Sequence, residues 1–122
     1  AAMGAGYQHF ALRCADIFAI AEHIDQDVIL QAPPSYYEIL ALRFDLDAAM
    51  IDRLRRCNLL YDEDANGRYL QLYTVEVNGL FLELVQREGY QGFGAVNAPV
   101  RMAAQTRDHE ATQAFISSLE TD

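Results

Sequence analysis

The sequence predicts an α+β fold: a βαβββ unit carrying two inserted helices and a C-terminal helix, built as half of something larger. Three observations predict it. Residues 7–13 alternate with a strand-like period, and 69–75 and 80–87 read as two further strands. Apolar residues recur at helical spacing between the first of these stretches and the later ones. Finally, a four-stranded sheet with one helical crossover leaves an apolar face and two edges open, and this calls for a partner sheet.

Each element has its own signal. Residues 7–13 place Tyr7, His9, Ala11 and Arg13 on one face and Gln8, Phe10 and Leu12 on the other. Asp16 offers an N-cap, and Ile17, Ile20, Ala21 and Ile24 follow at helical spacing, so residues 16–25 read as a helix. Val28-Ile29-Leu30 reads as a short strand, broken by Pro33-Pro34. Ser35-Tyr36-Tyr37-Glu38 has the capping-box pattern and starts a helix to about Phe44. Asp47 caps a second helix with Met50, Ile51, Leu54 and Cys57 inward and Arg53, Arg55 and Arg56 near its negative end. Residues 58–61 read as a strand, and the Asp- and Gly-rich stretch 62–67 as a turn rather than a calcium loop, since it lacks the distal glutamate. Residues 69–75 and 80–87 are two more strands, joined by the hairpin signal Val77-Asn78-Gly79. The glycines at 89, 92 and 94 make an irregular loop without the Lys and Ser/Thr of a phosphate loop. Asn97-Ala98-Pro99 opens a helical stretch, with Asp108 a candidate cap for a final helix.

Composition narrows the function. The 122 residues predict one domain, 1–122. Apolar residues make up 52% and charged residues 22%, as in an ordinary globular chain. The net charge of −9 argues against nucleic acid and against an anionic membrane surface. No apolar run is long enough to span a bilayer, and Ala1-Ala2-Met3-Gly4 has no signal-peptide pattern. The internal Met3 hints that the natural start lies upstream. Cys14 and Cys57 form no CxxC pair, so free buried thiols in a cytoplasmic protein are expected.

The chemistry centres on His9 and Glu83, each a metal-competent side chain within an otherwise apolar strand. An imidazole and a carboxylate on rigid strands suit divalent iron, manganese or zinc, as in the 2-His-1-carboxylate triad. From the bare residues, a structural histidine and a solvent-facing glutamate remain the ordinary alternatives. Glu83 between Leu82 and Leu84 sharpens the choice, because an inward carboxylate is costly to bury without a cation. His23 and His109 read as structural or solvent-facing. Tyr36-Tyr37 reads as core packing, with a pocket wall as the alternative.

Five blocks then carry a resemblance. Gly6–Leu12 with Asp16-Ile17, Pro34–Tyr37, Leu59–Thr74, Phe81–Arg87 and Gly92–Asn97 occur in the same order as in 4-hydroxyphenylpyruvate dioxygenases. The resemblance implies the vicinal-oxygen-chelate fold, in which paired βαβββ modules enclose a metal. It implies that His9 and Glu83 are metal ligands, with Fe(II) the expected ion and Mn, Mg, Co or Zn the alternatives. It also implies that Gln71, Phe93 and Asn97 line the substrate pocket. The family's first metal histidine belongs to a preceding module, so no residue here is assigned a catalytic role on its own. The family's aromatic residue after the asparagine is Ala98 here, followed by Pro99, which removes a ring-stacking wall. Residues 95–105 resemble a narrower group, bacterial fusions of a sugar-isomerase-like barrel with a dioxygenase-like half. The barrel of that group is a 3-dehydroshikimate dehydratase acting in quinate and shikimate breakdown to protocatechuate. The implied ligand is a 2-oxo acid or a dehydroshikimate-type acid. The expected partner is the missing upstream module or a second copy of the chain, the module alone being inactive. A catalytically silent module for stability or oligomerisation is the reading from another class.

Overall fold

The computed structural model describes residues 8–92 and 95–120; the side chains of 95, 109 and 111–120 are outside that description. Among the described residues ten elements follow one another, and four of them are strands. The sheet order is β1 (Gln8–Arg13), β4 (Leu80–Glu88), β3 (Gly67–Tyr73), β2 (Leu60–Asp64). β1 runs parallel to β4, and the other pairs are antiparallel. This is the predicted βαβββ unit, and the sheet does not close on itself.

Alternation along the register sorts the side chains. Phe10, Leu12, Leu82, Leu84, Leu72 and Leu70 share one face. His9, Phe81, Glu83, Tyr73, Gln71 and Tyr69 share the other. The first face is covered over β3, where Leu70 and Leu72 are fully buried, and α1 (Ile17–Ala21) packs against β4. Its outer part is bare: Phe10, Leu12, Leu80 and Leu82 are exposed, and all of β1 is accessible.

The helices carry their own causes. Asp16 caps α1 by accepting from Ala19 N–H at 3.1 Å. The helix ends at Ala21, where Gln26 Nε2 bonds the carbonyl at 3.0 Å, several residues short of the sequence expectation. α2 (Pro34–Arg43) starts without the capping box. Pro34 sits at the first helical position, and Pro33 is the cap residue, so Ser35 lies inside the helix and cannot cap it. Asp47 does cap α3 (Ala48–Arg56), accepting from Met50 N–H at 2.7 Å. Arg55 and Arg56 of α3 pair with Asp52, whereas Arg53 reaches Glu22 and stacks over Phe18 at 4.0 Å, tying α3 to α1.

Three further expectations change. Residues 28–30 are not a strand; Asp25 accepts from Asp27 N–H and winds a 3₁₀ turn over Gln26–Val28, leaving a single bridge between Ile29 and Thr74. β2 begins at Leu60, and it continues through Asp62 and Glu63, which the sequence reading placed in a turn. Asp108 caps no separate helix, because α4 is continuous over Ala98–Glu120. The Val77-Asn78-Gly79 hairpin forms as expected, with Asn78 and Gly79 both at positive φ. Both cysteines are free; Cys57 is buried and Cys14 half-buried.

Candidate metal centre

The parallel pairing of β1 with β4 sets the site. His9 lies opposite Phe81, and Glu83 lies opposite Ala11, so both metal-competent side chains project from one sheet face. His9 Nε2 stands 3.5 Å from Glu83 Oε1. The imidazole is stacked on Phe81, with ring centres 5.1 Å apart and planes 8° apart, which fixes its orientation. Glu83 is buried and His9 is open to solvent.

The two carboxylate oxygens differ. Oε2 receives Gln71 Nε2 at 3.1 Å and the Tyr73 hydroxyl at 3.4 Å. Oε1 faces His9. The chain of bonds continues outward: Asn97 Nδ2 donates to Gln71 Oε1 at 3.0 Å, and the Tyr36 hydroxyl donates to Asn97 Oδ1 at 2.8 Å. Tyr36 also accepts from Tyr61 N–H at 2.8 Å, and Tyr37 bonds the Leu59 carbonyl, so both tyrosines are core residues. Burial, then the charge of Glu83, pushes the Tyr73 hydroxyl well above its ordinary range, while Arg101 partly opposes the shift. The same two causes push Tyr69 up to about 12. Both phenols are therefore neutral at physiological pH and keep a proton to donate.

This arrangement fits a divalent cation. Donors bound at about 2.0–2.2 Å in tetrahedral or octahedral geometry sit roughly 3–3.5 Å apart. The His9–Glu83 spacing matches that separation. Hydrogen bonds to the far carboxylate oxygen are the usual support for a ligating carboxylate. Among the described residues, however, no three His, Cys, Asp or Glu side chains converge. His23 stays apart, with Nδ1 held by the Ala19 carbonyl at 2.6 Å. The His109 side chain and Phe93 lie outside the described residues.

Of the residues singled out from sequence, His9, Glu83, Gln71 and Asn97 are connected in one network. Sequence reasoning missed Tyr73 and Phe81, which hold the carboxylate and the imidazole. Their signal was available in the alternation, since both share the face of His9 and Glu83. It also missed Arg101, which has no such strand signal. A cleft of about 600 Å³ lies elsewhere, lined by residues that include Leu30, Pro33, Arg107 and Asp108. It touches none of the network, so volume alone does not mark the site.

The open four-stranded sheet, with His9 and Glu83 side by side on one face, has the form of half a vicinal-oxygen-chelate barrel. Comparison with known proteins refines this. No protein-family model matches the chain. It is 43% identical over 109 residues to 3-dehydroshikimate dehydratase of Pseudomonas aeruginosa, covering 85% of this chain and 17% of that protein. It is 38% identical over 103 residues to 4-hydroxyphenylpyruvate dioxygenase of Caenorhabditis briggsae, covering 77% of this chain and 26% of that protein. A solved xylose isomerase-like TIM barrel/4-hydroxyphenylpyruvate dioxygenase fusion protein superposes with a TM-score of 0.74 at 37% identity, over 81% of this chain and 17% of that one. The chain is a 4-hydroxyphenylpyruvate-dioxygenase-like module, homologous to part of 3-dehydroshikimate dehydratase. It spans only about a sixth of the dehydratase's length. No helix among the described residues is long and apolar enough to cross a membrane.

Proposed function

We propose that residues 1–122 form one domain, the C-terminal module of a larger bacterial enzyme of the 3-dehydroshikimate dehydratase type. In that enzyme the module supplies two of three protein ligands, His9 and Glu83, to a divalent-metal site, and the third comes from a preceding module. The observation that carries this reading is the split role of the Glu83 carboxylate, with Oε2 held by Gln71 and Tyr73 and Oε1 turned toward His9. Fe(II) is the ion favoured by likeness to the dioxygenases, and Mn, Mg, Co and Zn suit the same donors.

Bound there, Fe(II) would supply the activation of oxygen against a 2-oxo acid. The chain's own residues supply geometry. Phe81 holds the His9 ring flat, Gln71 and Tyr73 keep Glu83 oriented, and Asn97 pins Gln71 from the head of α4. Gln71, Asn97 and Phe93 are the pocket residues in this reading. Dehydration of 3-dehydroshikimate would occur in the barrel of the parent enzyme. The free thiols support a cytoplasmic setting. The bare strip on β1 and β4 supports pairing with the sister module, or with a second copy when the chain is alone.

The test is metal analysis and oxygen uptake with 2-oxo acids on the full-length parent, beside its His9→Ala variant. Metal binding and oxygen uptake in the parent, both lost in the variant, are expected. Absence of metal from the parent sinks the metal reading and favours a catalytically silent module. Metal without oxygen uptake sinks only the dioxygenase chemistry.

A further inference from the structure

Arg101 carries a charge that the fold buries without an ion pair among the described residues. It stands in the first turn of α4 and is only 7% exposed. Its guanidinium carbon lies 5.6 Å from the centre of the Tyr73 ring and 5.9 Å from that of Phe81. Nη1 donates to Gln105 Oε1 at 3.1 Å. Among the described residues Arg101 makes no ion pair. A guanidinium has five N–H donors, and burying it without a carboxylate is costly. The two aromatic faces return part of that cost.

A second observation points the same way. Gln105 Nε2 is buried and has no hydrogen-bond partner. Its amide cannot simply be turned over, because Oε1 is the acceptor for Arg101 and a reversed amide would set donor against donor. Successive turns of one helix therefore present more buried donors than the one acceptor, Gln105 Oε1, that serves them. Such a cluster is complementary to an anion, and the planar fork of arginine matches a carboxylate.

The cluster also adjoins the metal-competent pair. His9 stacks on Phe81, and Arg101 lies over the same ring. Tyr73, beneath Arg101, donates to Glu83. A cavity that Arg101 lines together with Leu60, Tyr73 and Val100 is about 10 Å³ and has room for roughly one water. On the His9-bearing face Phe81 and Tyr73 are buried while His9 is exposed, so a ligand would reach Arg101 past His9.

We propose that Arg101, assisted by Gln105, anchors the carboxylate of a small organic acid over Phe81 and Tyr73. This rests on the reading of that sheet face as the ligand side, and it does not require the metal. The test uses the full 122-residue chain in EDTA, with benzoate as the probe and benzamide as its neutral counterpart, followed by NMR titration. Benzoate is expected to bind, with Arg101→Met weakening it at least tenfold and Gln105→Met at least threefold. Benzamide is expected to bind no better than benzoate binds Arg101→Met. The proposal is overturned if the wild-type chain does not bind benzoate, or if a folded Arg101→Met binds it within twofold of wild type. Should circular dichroism show Arg101→Met unfolded, Gln105→Met decides, and unchanged affinity there overturns the proposal. Titration with Fe(II) or Mn(II) on the parent enzyme separates the two readings. Benzoate binding without metal binding sinks the metal site alone, and the reverse sinks the anion site alone.

Discussion

Asn97 Nδ2 donates to Gln71 Oε1 at 3.0 Å, and this bond joins the head of the C-terminal helix to the carboxylate of Glu83 through a single side chain. Gln71 spends its other end on Glu83 Oε2 and the Tyr73 hydroxyl. Replacing Gln71 by Leu strips Glu83 of its shorter hydrogen bond and leaves Asn97 with Tyr61 as its remaining acceptor. Removing a support of this kind costs about 10–100-fold in metal affinity. Unmet buried polar groups cost about 1–3 kcal/mol of stability. We expect both effects in Gln71→Leu, read by Mn(II) titration of the parent enzyme and by urea unfolding of the chain. Unchanged metal affinity would show that Glu83 needs no such support.

Tyr36 and Tyr37 are neighbours with unequal duties. The Tyr36 hydroxyl serves Tyr61 N–H and Asn97 Oδ1, both buried, while the Tyr37 hydroxyl serves only the Leu59 carbonyl. Tyr36→Phe leaves two polar groups without a partner and is expected to cost about 2–3 kcal/mol; Tyr37→Phe is expected to cost about 1 kcal/mol. Urea unfolding of the two variants checks the order. Equal losses would mean that the Asn97 end of the network relaxes freely.

Much of this network was legible in the sequence, because strand alternation alone puts His9, Glu83, Gln71 and Tyr73 on one face once the register is known. The register was not legible: nothing local says that β1 runs parallel to β4 with His9 against Phe81. Short-range competition hid other elements. Pro34 pre-empted the Ser35 cap, and Asp25 wound a turn over residues 26–28, at the start of the apolar run 28–30 that read as a strand. The glycine at 67 looked like a turn residue, but a Cβ there would lie 1.7 Å from the Glu88 carbonyl oxygen, so close backbone approach demands it. Arg101 was invisible because helical charge is ordinarily solvated, and only the packing of α4 over Tyr73 and Phe81 buries it.

Asp64 predicts an acid-limb effect. Its carboxylate accepts from Gln91 N–H, from Asn66 N–H and from Gly67 N–H, and these bonds hold its pKa below the ordinary 3.8. A depressed carboxylate contributes stability above its unfolded pKa, and that contribution is lost as pH falls through the folded value. The urea midpoint of the wild-type chain is therefore expected to fall more steeply below pH 4 than that of Asp64→Asn. The side chain is fully exposed, so the difference is small. Parallel acid limbs in the two proteins would remove Asp64 from the account.

The bare edge of the sheet makes the last prediction. Every residue of β1 is exposed, and among the described residues no strand lies beside its outer edge. Phe10, Leu12, Leu80 and Leu82 form an apolar strip across β1 and β4 on the face opposite His9. An exposed edge strand next to an apolar strip is a template for pairing. For the chain by itself, the available occupant is a second copy presenting the same strip. Light scattering is expected to show concentration-dependent association. Phe10→Lys with Leu82→Lys places like charges at directly paired positions, and is expected to return the chain to a monomer while preserving its circular dichroism. A wild-type monomer at millimolar concentration would sink the prediction. Association that survives the double substitution would move the contact to another surface.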